Sequence, residues 1–371
     1  MNDAEILLAN ILSLGEHAIW QDCIDHVEDG LHSWLSTAND VKFQRVYIVG
    51  CGTSYYAAQV GKYIIEHLTH LPVEAHQAFA FSIYTDPALL NEKTLVIGVS
   101  TTGNTEAVCN ALEFARHSGA ATLAFTATPG SSITEISQTT ILTGGRVTIA
   151  VKTETYLQSL ICLYLFGIHL AHNLGLLSSE EIEDWHHQIH KAEEITLRFF
   201  TKQQPDIVKL VDLYSSTDMV FIVGTGPNFG TAEEASLKVV EIAKMYSVSQ
   251  EMENFLHGYD RELNETSPIF LLAPRGPALN RMLDFLTFTH KVGVPSIVVT
   301  NDENPDVKRL ADHILLLEGQ LNELATPLAY IAPFYLFSYQ MAVRRGVDPS
   351  ERRFPGIVAL KTRYRDDIEA F

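Results

Sequence analysis

The chain has 371 residues, room for two domains at about 150 residues each, and its 46% apolar fraction supplies a continuous core. Its 26 Lys and Arg stand against 45 Asp and Glu, a net charge of −19, which argues against wrapping DNA or RNA. Any anionic ligand must then be held by local dipoles and a few cations, and with only 19% charged residues the chain is not a disordered one.

The start, MNDAEILLANILSLGEH, carries acids and no basic segment, so it does not read as a secretory signal. The first 40 or so residues read as helices packed on the first domain. From there the pattern predicts a strand over 45–49, a helix over 54–67, strands over 73–78 and 94–99, a helix over 105–118 and a strand over 121–126. A short strand at 141–142 and a helix over 153–174 complete the unit. The most apolar long stretch, Tyr156 to Gly175, is interrupted by Gln158, Ser159, His169, His172 and Asn173, which suits a buried helix better than a lipid-exposed span. The acidic stretch 178–185 and a helix to about Lys202 bridge to the second half of the chain.

The second half repeats the same unit. VYIVGCG starts at Val46 and VFIVGTG at Val220, an offset of 220 − 46 = 174. TLVIGVS from Thr94 faces PIFLLAP from Pro268, SGAATLAFTA from Ser118 faces VGVPSIVVTN from Val292, and ILTGG from Ile141 faces LLLEG from Leu315, all at the same offset. Almost wholly apolar strands alternating with amphipathic helices imply an α/β fold: two doubly wound parallel-sheet domains in tandem. The expected division is 1–195, with the N-terminal helices and first domain, and 196–371, with the second domain and a C-terminal tail. Such sheets bind ligands beyond the carboxyl ends of their strands, at the switch in strand order, so chemistry is sought in the loops after strands.

The two copies differ in those loops. After the 94–99 strand comes Ser100-Thr101-Thr102-Gly103-Asn104-Thr105, leading into a helix. Four hydroxyls and a glycine at a helix N-terminus make a cradle sized for a terminal phosphate, since backbone N–H groups and the helix dipole both face it. Ordinary N-capping accounts for one of these hydroxyls but not for four. No Lys follows Gly103, so this is not a nucleotide P-loop. The matching loop, Pro274-Arg275-Gly276-Pro277-Ala278-Leu279, has no hydroxyl, so one phosphate site per chain is expected. The turns Gly50-Cys51-Gly52-Thr53-Ser54 and Gly224-Thr225-Gly226-Pro227-Asn228 allow close backbone approach, but Tyr55 stands where a dinucleotide motif needs its third glycine. Thr53 and Ser54 are expected to face a sugar or its phosphate instead.

Copy two carries ionisable groups. Lys238 and Glu241 are three residues apart and share a helical face, and His257 lies sixteen residues further on. A carboxylate, an ammonium and an imidazole beside one ligand suit proton transfer next to a carbonyl. Taken alone, the Lys–Glu spacing also fits a surface ion pair. Cys23, Cys51, Cys109 and Cys162 are 28, 58 and 53 residues apart, which supports neither a disulfide framework nor a zinc site, so no metal is expected and the chain reads as cytoplasmic.

Together the Cys-Gly-Thr-Ser turn, the Ser-x-[Ser/Thr]-Gly-x-Thr loop, Leu237-Lys238-x-x-Glu241 and His257-Gly258 resemble the tandem SIS (sugar isomerase) family over roughly Val46 to Lys361. The likeness is to the isomerase half of glutamine–fructose-6-phosphate transaminase and to fructosamine-6-phosphate deglycases. The resemblance implies two flavodoxin-like domains, a homodimer with a shared site, and no cofactor. It implies phosphate binding at Ser100, Thr102 and Thr105 with Ser54 beside them, and Thr101, in the same hydroxyl cradle, is expected to join them. It assigns Glu241 to proton transfer between C1 and C2, Lys238 to the same helix, and His257 to ring opening across the dimer interface. Three positions depart from the pattern: Thr101 stands where the family has Gln, Tyr259 where a proline is common, and the tail containing Lys361 matches only loosely the family's substrate-binding lysine segment.

About 45 residues precede the first strand, and no glutaminase segment with a nucleophilic N-terminal cysteine is seen, so glutamine-dependent amination is not expected. The expected substrate is a phosphorylated sugar or amino sugar, processed by a deglycase or deaminase; a simple aldose–ketose isomerase and a non-catalytic sugar-phosphate sensor are the alternatives. Seven of the 26 cations fall in the last 28 residues, among them Arg344, Arg345, Arg352 and Arg353, which reads as a segment folded over an anionic site or an acidic partner.

Overall fold

Two five-stranded sheets, every strand parallel to its neighbours, organise the computed structural model, which describes residues 1–38, 42–145 and 149–354. The first contains β1 (Arg45–Gly50), β2 (Val73–Gln77), β3 (Thr94–Val99), β4 (Ala121–Thr126) and β5 (Thr139–Leu142), in the spatial order β2-β1-β3-β4-β5. The second contains β6 (Met219–Gly224), β7 (Tyr246–Glu251), β8 (Ile269–Leu272), β9 (Ser296–Thr300) and β10 (His313–Leu316), in the matching order β7-β6-β8-β9-β10. This is the flavodoxin-like doubly wound order, twice. The switch in strand order lies between β1 and β3 in one sheet and between β6 and β8 in the other.

The strands are apolar on both faces because both faces are covered. Along β1, Val46 and Ile48 enter a central core while Tyr47 and Val49 enter a separate cluster with Phe81 and Leu112. Along β6, Val220 and Ile222 enter the same central core, and Phe221 and Val223 pack outward with Phe255 and Phe285. The central core thus runs from one sheet to the other without a break. The helices Thr53–Thr69, Glu154–Asn173, Pro227–Lys238 and Ala332–Arg344 fill it, with Phe166, Phe270, Tyr335 and Phe337 among its largest side chains. The apolar 156–175 stretch is therefore core: the Glu154–Asn173 helix is buried over nearly its whole length, and no described helix is long and apolar enough to cross a membrane.

The His17–Ala38 helix packs on the first domain as expected, with the Trp34 ring 5.3 Å from that of Phe166 and Trp20 Nε1 donating to the Leu14 carbonyl at 3.0 Å, whereas the preceding Asp3–Leu12 helix packs against the Ala332–Arg344 helix of the second half. The Ser179–Lys202 helix, opened by a Ser178–Glu181 capping box, bridges the halves. Expected and observed bounds differ mostly by a residue. The larger differences are two residues, at the end of the Thr53–Thr69 helix and the start of the Thr139–Leu142 strand, while at 73–78 Ala78 leaves the strand and begins a short helix to Tyr84.

Candidate active site at the junction of the two halves

The loops after β1 and β3 flank the switch point of the first sheet, since Val49 pairs with Gly98 and the two strands end side by side. Gly52 opens the helix after β1 at φ 54°, and Gly226 does the same after β6 at φ 56°, a left-handed turn that only glycine adopts without strain. Ser54, in the first turn of its helix, is nearly buried.

The hydroxyl loop is braced from beneath by backbone bonds. Gly103 N donates to Ser100 O at 2.9 Å, Ile133 N donates to Gly103 O at 2.8 Å, and the Thr101 carbonyl accepts from Thr126 Oγ1 and Thr128 Oγ1. Thr105 occupies the N-cap of the Glu106–His117 helix, yet its side chain does not cap it; Thr105 Oγ1 instead accepts from Ser100 Oγ at 3.1 Å. Capping therefore does not explain these hydroxyls, and the first helical N–H groups keep their capacity for an anion. Ser100 is buried, Thr101 and Thr102 are half-buried, and Asn104 Oδ1 accepts from Ser132, closing the loop's far edge. A Cβ on Gly103 (φ 65°) would collide with the Ser131 hydroxyl, so the loop has no room for another residue there unless Ser131 moves.

The corresponding crevice of the second sheet is filled by the chain itself. The Glu323 carboxylate occupies the space where a Cβ on Gly276 would stand, and burial pushes that carboxyl up from its ordinary pKa. Asn228 Nδ2 donates to Thr326 Oγ1 at 2.8 Å, and Arg275 N donates to Asn301 Oδ1 at 2.9 Å.

Lys238 is not on the surface. It is fully buried at the end of the Pro227–Lys238 helix, and its Nζ donates to Glu241 Oε2 at 2.7 Å and to Thr53 Oγ1 at 2.9 Å, with Glu234 Oε1 at 3.2 Å. Burial alone would lower its pKa, but the carboxylates of Glu234 and Glu241 outweigh that and hold it above the ordinary lysine value. Glu234 is also wholly buried and accepts from Tyr335 Oη at 3.0 Å; burial pushes its carboxyl up to about 7, against the pull of Lys238. Beyond Lys238 the helix widens into a π turn, Val239–Ala243, that ends at Lys244 with φ 55°. Such turns concentrate at functional sites, and this one carries Glu241, whose side chain is 37% exposed.

Glu241 opens on a cavity of about 380 Å³ that it lines with Val151, Lys244, Arg352, Arg353 and Phe354. The arginine-rich tail thus splits in two. Arg344 pairs with Asp212 and Arg345 with the Thr217 carbonyl, whereas Arg352 and Arg353 reach this cavity, Arg353 donating to the Lys244 carbonyl at 2.9 Å. Lys152 is a further cation near Glu241: burial lowers its pKa, Lys238 lowers it further, and Glu241 opposes them.

The chain therefore brings Lys238, Glu241 and Thr53 into one cluster. It does not bring His257 there. His257 is exposed just past the Met252–Phe255 turn, its charge felt by Glu253, and makes none of the cluster's contacts within the chain. Lys361 lies outside the described residues. Sequence reasoning missed Glu234, Tyr335 and Lys152; Tyr335 is 101 residues from its partner, and nothing local in the sequence announces it.

The SIS domain profile matches residues 41–168 and 213–345. The glutamine–fructose-6-phosphate aminotransferase (isomerizing) of Clostridium perfringens is 30% identical over 317 residues, 83% of this chain and 50% of that protein. The enzyme of the same name from Caldanaerobacter subterraneus subsp. tengcongensis is 29% identical over 313 residues, 84% of this chain and 51% of that protein. The chain spans about half the length of the curated relatives it matches. Among solved structures, the C-terminal domain of glucosamine-fructose-6-phosphate aminotransferase from Francisella tularensis superposes with a TM-score of 0.84 at 22% identity, over 93% of this chain and 98% of that one. Glucosamine-6-phosphate deaminase from Thermotoga maritima superposes with a TM-score of 0.69 at 19% identity, over 90% and 97%. The structural likenesses speak for the fold, and the profile, found once on each sheet, speaks for descent: this chain belongs to the SIS domain family, as two copies in tandem.

Proposed function

We propose that the chain is a phosphosugar enzyme in which Glu241 moves a proton between C1 and C2 of an amino-sugar or fructosamine 6-phosphate, releasing the amine. One observation carries this reading: Glu241, partly exposed at a cavity, is oriented by an ammonium with no access to water. In a fructosamine 6-phosphate, Glu241 takes the proton from C1, next to the C2 carbonyl, giving an enolamine. Return of the proton at C2 leaves an imine at C1, which water hydrolyses to the free amine and a hexose 6-phosphate. Lys238 fixes the Glu241 carboxylate, and Ser54, Ser100, Thr101, Thr102 and Thr105 hold the phosphate at the switch point.

The names of the aminotransferase relatives, with their isomerizing activity, agree with proton transfer on a fructose phosphate. Sharing of the site across a homodimer, with His257 supplied by the second copy, completes the reading.

Phosphorus NMR of the protein with fructose 6-phosphate, glucosamine 6-phosphate and a fructosamine 6-phosphate, beside Glu241→Gln, tests it. Conversion of the fructosamine alone establishes a deglycase, and conversion of glucosamine 6-phosphate a deaminase. Interconversion of the simple hexose phosphates makes the chain an isomerase. Resonances that shift on binding without any conversion make it a sensor and overturn the proposal.

A further inference from the structure

Fifteen histidines in one chain are many, and three of them converge on one carboxylate that takes no part in the cluster around Lys238. Glu28, on the His17–Ala38 helix, has its Oε2 2.6 Å from His169 Nε2, on the buried Glu154–Asn173 helix, and 3.8 Å from His32 Nε2, one turn along its own helix. Its other oxygen, Oε1, lies 4.0 Å from His186 Nε2, on the bridging Ser179–Lys202 helix. That oxygen is shielded from solvent and has no hydrogen-bond partner. One ligand atom each from Glu28, His169 and His186 lies within 4.8 Å of the others.

We propose that Glu28, His169 and His186, with His32 or water as the fourth ligand, form a structural site for a divalent zinc ion. A tetrahedral zinc with bonds of about 2.1 Å sets its donor atoms about 3.4 Å apart. From Glu28 Oε2 the His169 and His32 nitrogens stand at 2.6 and 3.8 Å, and from Oε1 that of His186 at 4.0 Å, distances on either side of that value that side-chain shifts can bring to it. The donor set is two or three imidazoles and one carboxylate, the borderline chemistry that zinc prefers over calcium or magnesium. The ion would give Glu28 Oε1 the partner it lacks. His169 and Glu28 are 13% and 22% exposed whereas His32 is 72% exposed, so the site is walled on its inner side and open at His32 for entry.

The three helices come from three parts of the molecule: the N-terminal segment, the first domain's core and the bridge between halves. A bound ion clasps them together, and its binding energy adds to their docking. No local spacing betrays it, because its ligands are at positions 28, 169 and 186; the cysteine-based expectation of no metal considers only neighbours in sequence.

The test is titration of the metal-stripped full chain with Zn²⁺ in competition with a chromophoric chelator, then with Co²⁺ as a spectroscopic stand-in. One ion per chain is expected, with the strong visible bands of four-coordinate cobalt, and Zn²⁺ should raise Tm. His169→Asn, His186→Gln and Glu28→Gln should each weaken binding by at least about tenfold, while His290→Ala, on an exposed helix face elsewhere, leaves it unchanged. His186 is 32% exposed, so its variant keeps the fold, and circular dichroism checks this. Absence of saturable Zn²⁺ binding, or a site that survives His186→Gln and His169→Asn, overturns the proposal.

Discussion

Gln59 and Glu233 hold the same place in the two halves of the chain, 233 − 59 = 174 residues apart, and they touch: Gln59 Nε2 donates to Glu233 Oε2 at 3.2 Å. The contact marks the approximate twofold axis between the repeats, where the Thr53–Thr69 and Pro227–Lys238 helices cross. Gly230 lets them close, since a Cβ there would stand 2.9 Å from the Tyr56 carbonyl, and 56 is again its repeat mate. The same crossing delivers Lys238, at the end of one helix, to Thr53, at the start of the other.

Glu233 makes that axis sensitive to pH. Burial pushes its carboxyl from 4.5 up to about 7, against the Gln59 hydrogen bond. The native chain then holds a proton that the unfolded chain has lost over that interval, so stability falls as pH rises from about 4.5 to about 7 and levels off above it. Urea midpoints measured across this range should decline with pH. In Glu233→Gln the decline should be shallower, the remainder including Glu234, whose carboxyl is raised to about 7 as well, and Glu323, also pushed up by burial.

Glu241→Gln should fold as the parent does, because the side chain is partly exposed at the mouth of a cavity. Its kcat should fall by about 10² to 10⁴, the usual contribution of a positioned general base, with little change in KM. Steady-state kinetics on whichever phosphosugar the NMR experiment identifies will check this.

Lys238→Met should behave differently, costing stability as well as rate. Removal of a buried ammonium leaves Glu234 without its counter-charge, a loss of about 3–5 kcal/mol. Adding Glu234→Gln should recover part of that loss, and a double-mutant cycle of denaturation free energies measures the coupling. Equal losses in the single and double variants would argue against the buried pair.

At the hydroxyl loop, Ser100→Ala with Thr105→Val should raise KM for a phosphorylated substrate by about tenfold, the value of one hydrogen bond to a charged group, and leave kcat nearly intact. Inorganic phosphate should inhibit the parent competitively and the variant less. Gly103→Ala should weaken binding as well, by displacing Ser131.

Mixing Glu241→Gln and His257→Ala chains tests the sharing of the site. Subunit exchange should restore up to about a quarter of parental activity if His257 is supplied in trans, since random pairing gives half heterodimers with one intact site each. Exchange shown by native mass spectrometry without recovery of activity would count against a shared site.

Much of the fold is legible in the chain. The 174-residue offset yields two like sheets, because short, wholly apolar strands before glycine turns, alternating with helices, are the pattern of a parallel sheet covered on both faces. The Lys238–Glu241 spacing yields their contact, since neighbours on a helix face meet whether the turn is α or π. Whatever depends on the docking of the halves is not legible there. Thr53 and Lys238 are 185 residues apart and Tyr335 and Glu234 are 101 apart. A surface ion pair is an open reading for Lys238 because nothing within its helix says that it lies between two sheets. For His257, no feature within one chain says what it faces.

The bond from Lys238 to Thr53 turns the duplication into a logical conjunction. Neither half carries both ends of it, so an isolated half would have a lysine with no hydroxyl to meet or a turn with no ammonium to receive. Any motion that parts the repeats disconnects the two at once, which couples the docking of the halves to the arrangement around Glu241. A chain cut within the bridge and reassembled from its pieces should consequently regain the cluster only to the extent that the halves find each other.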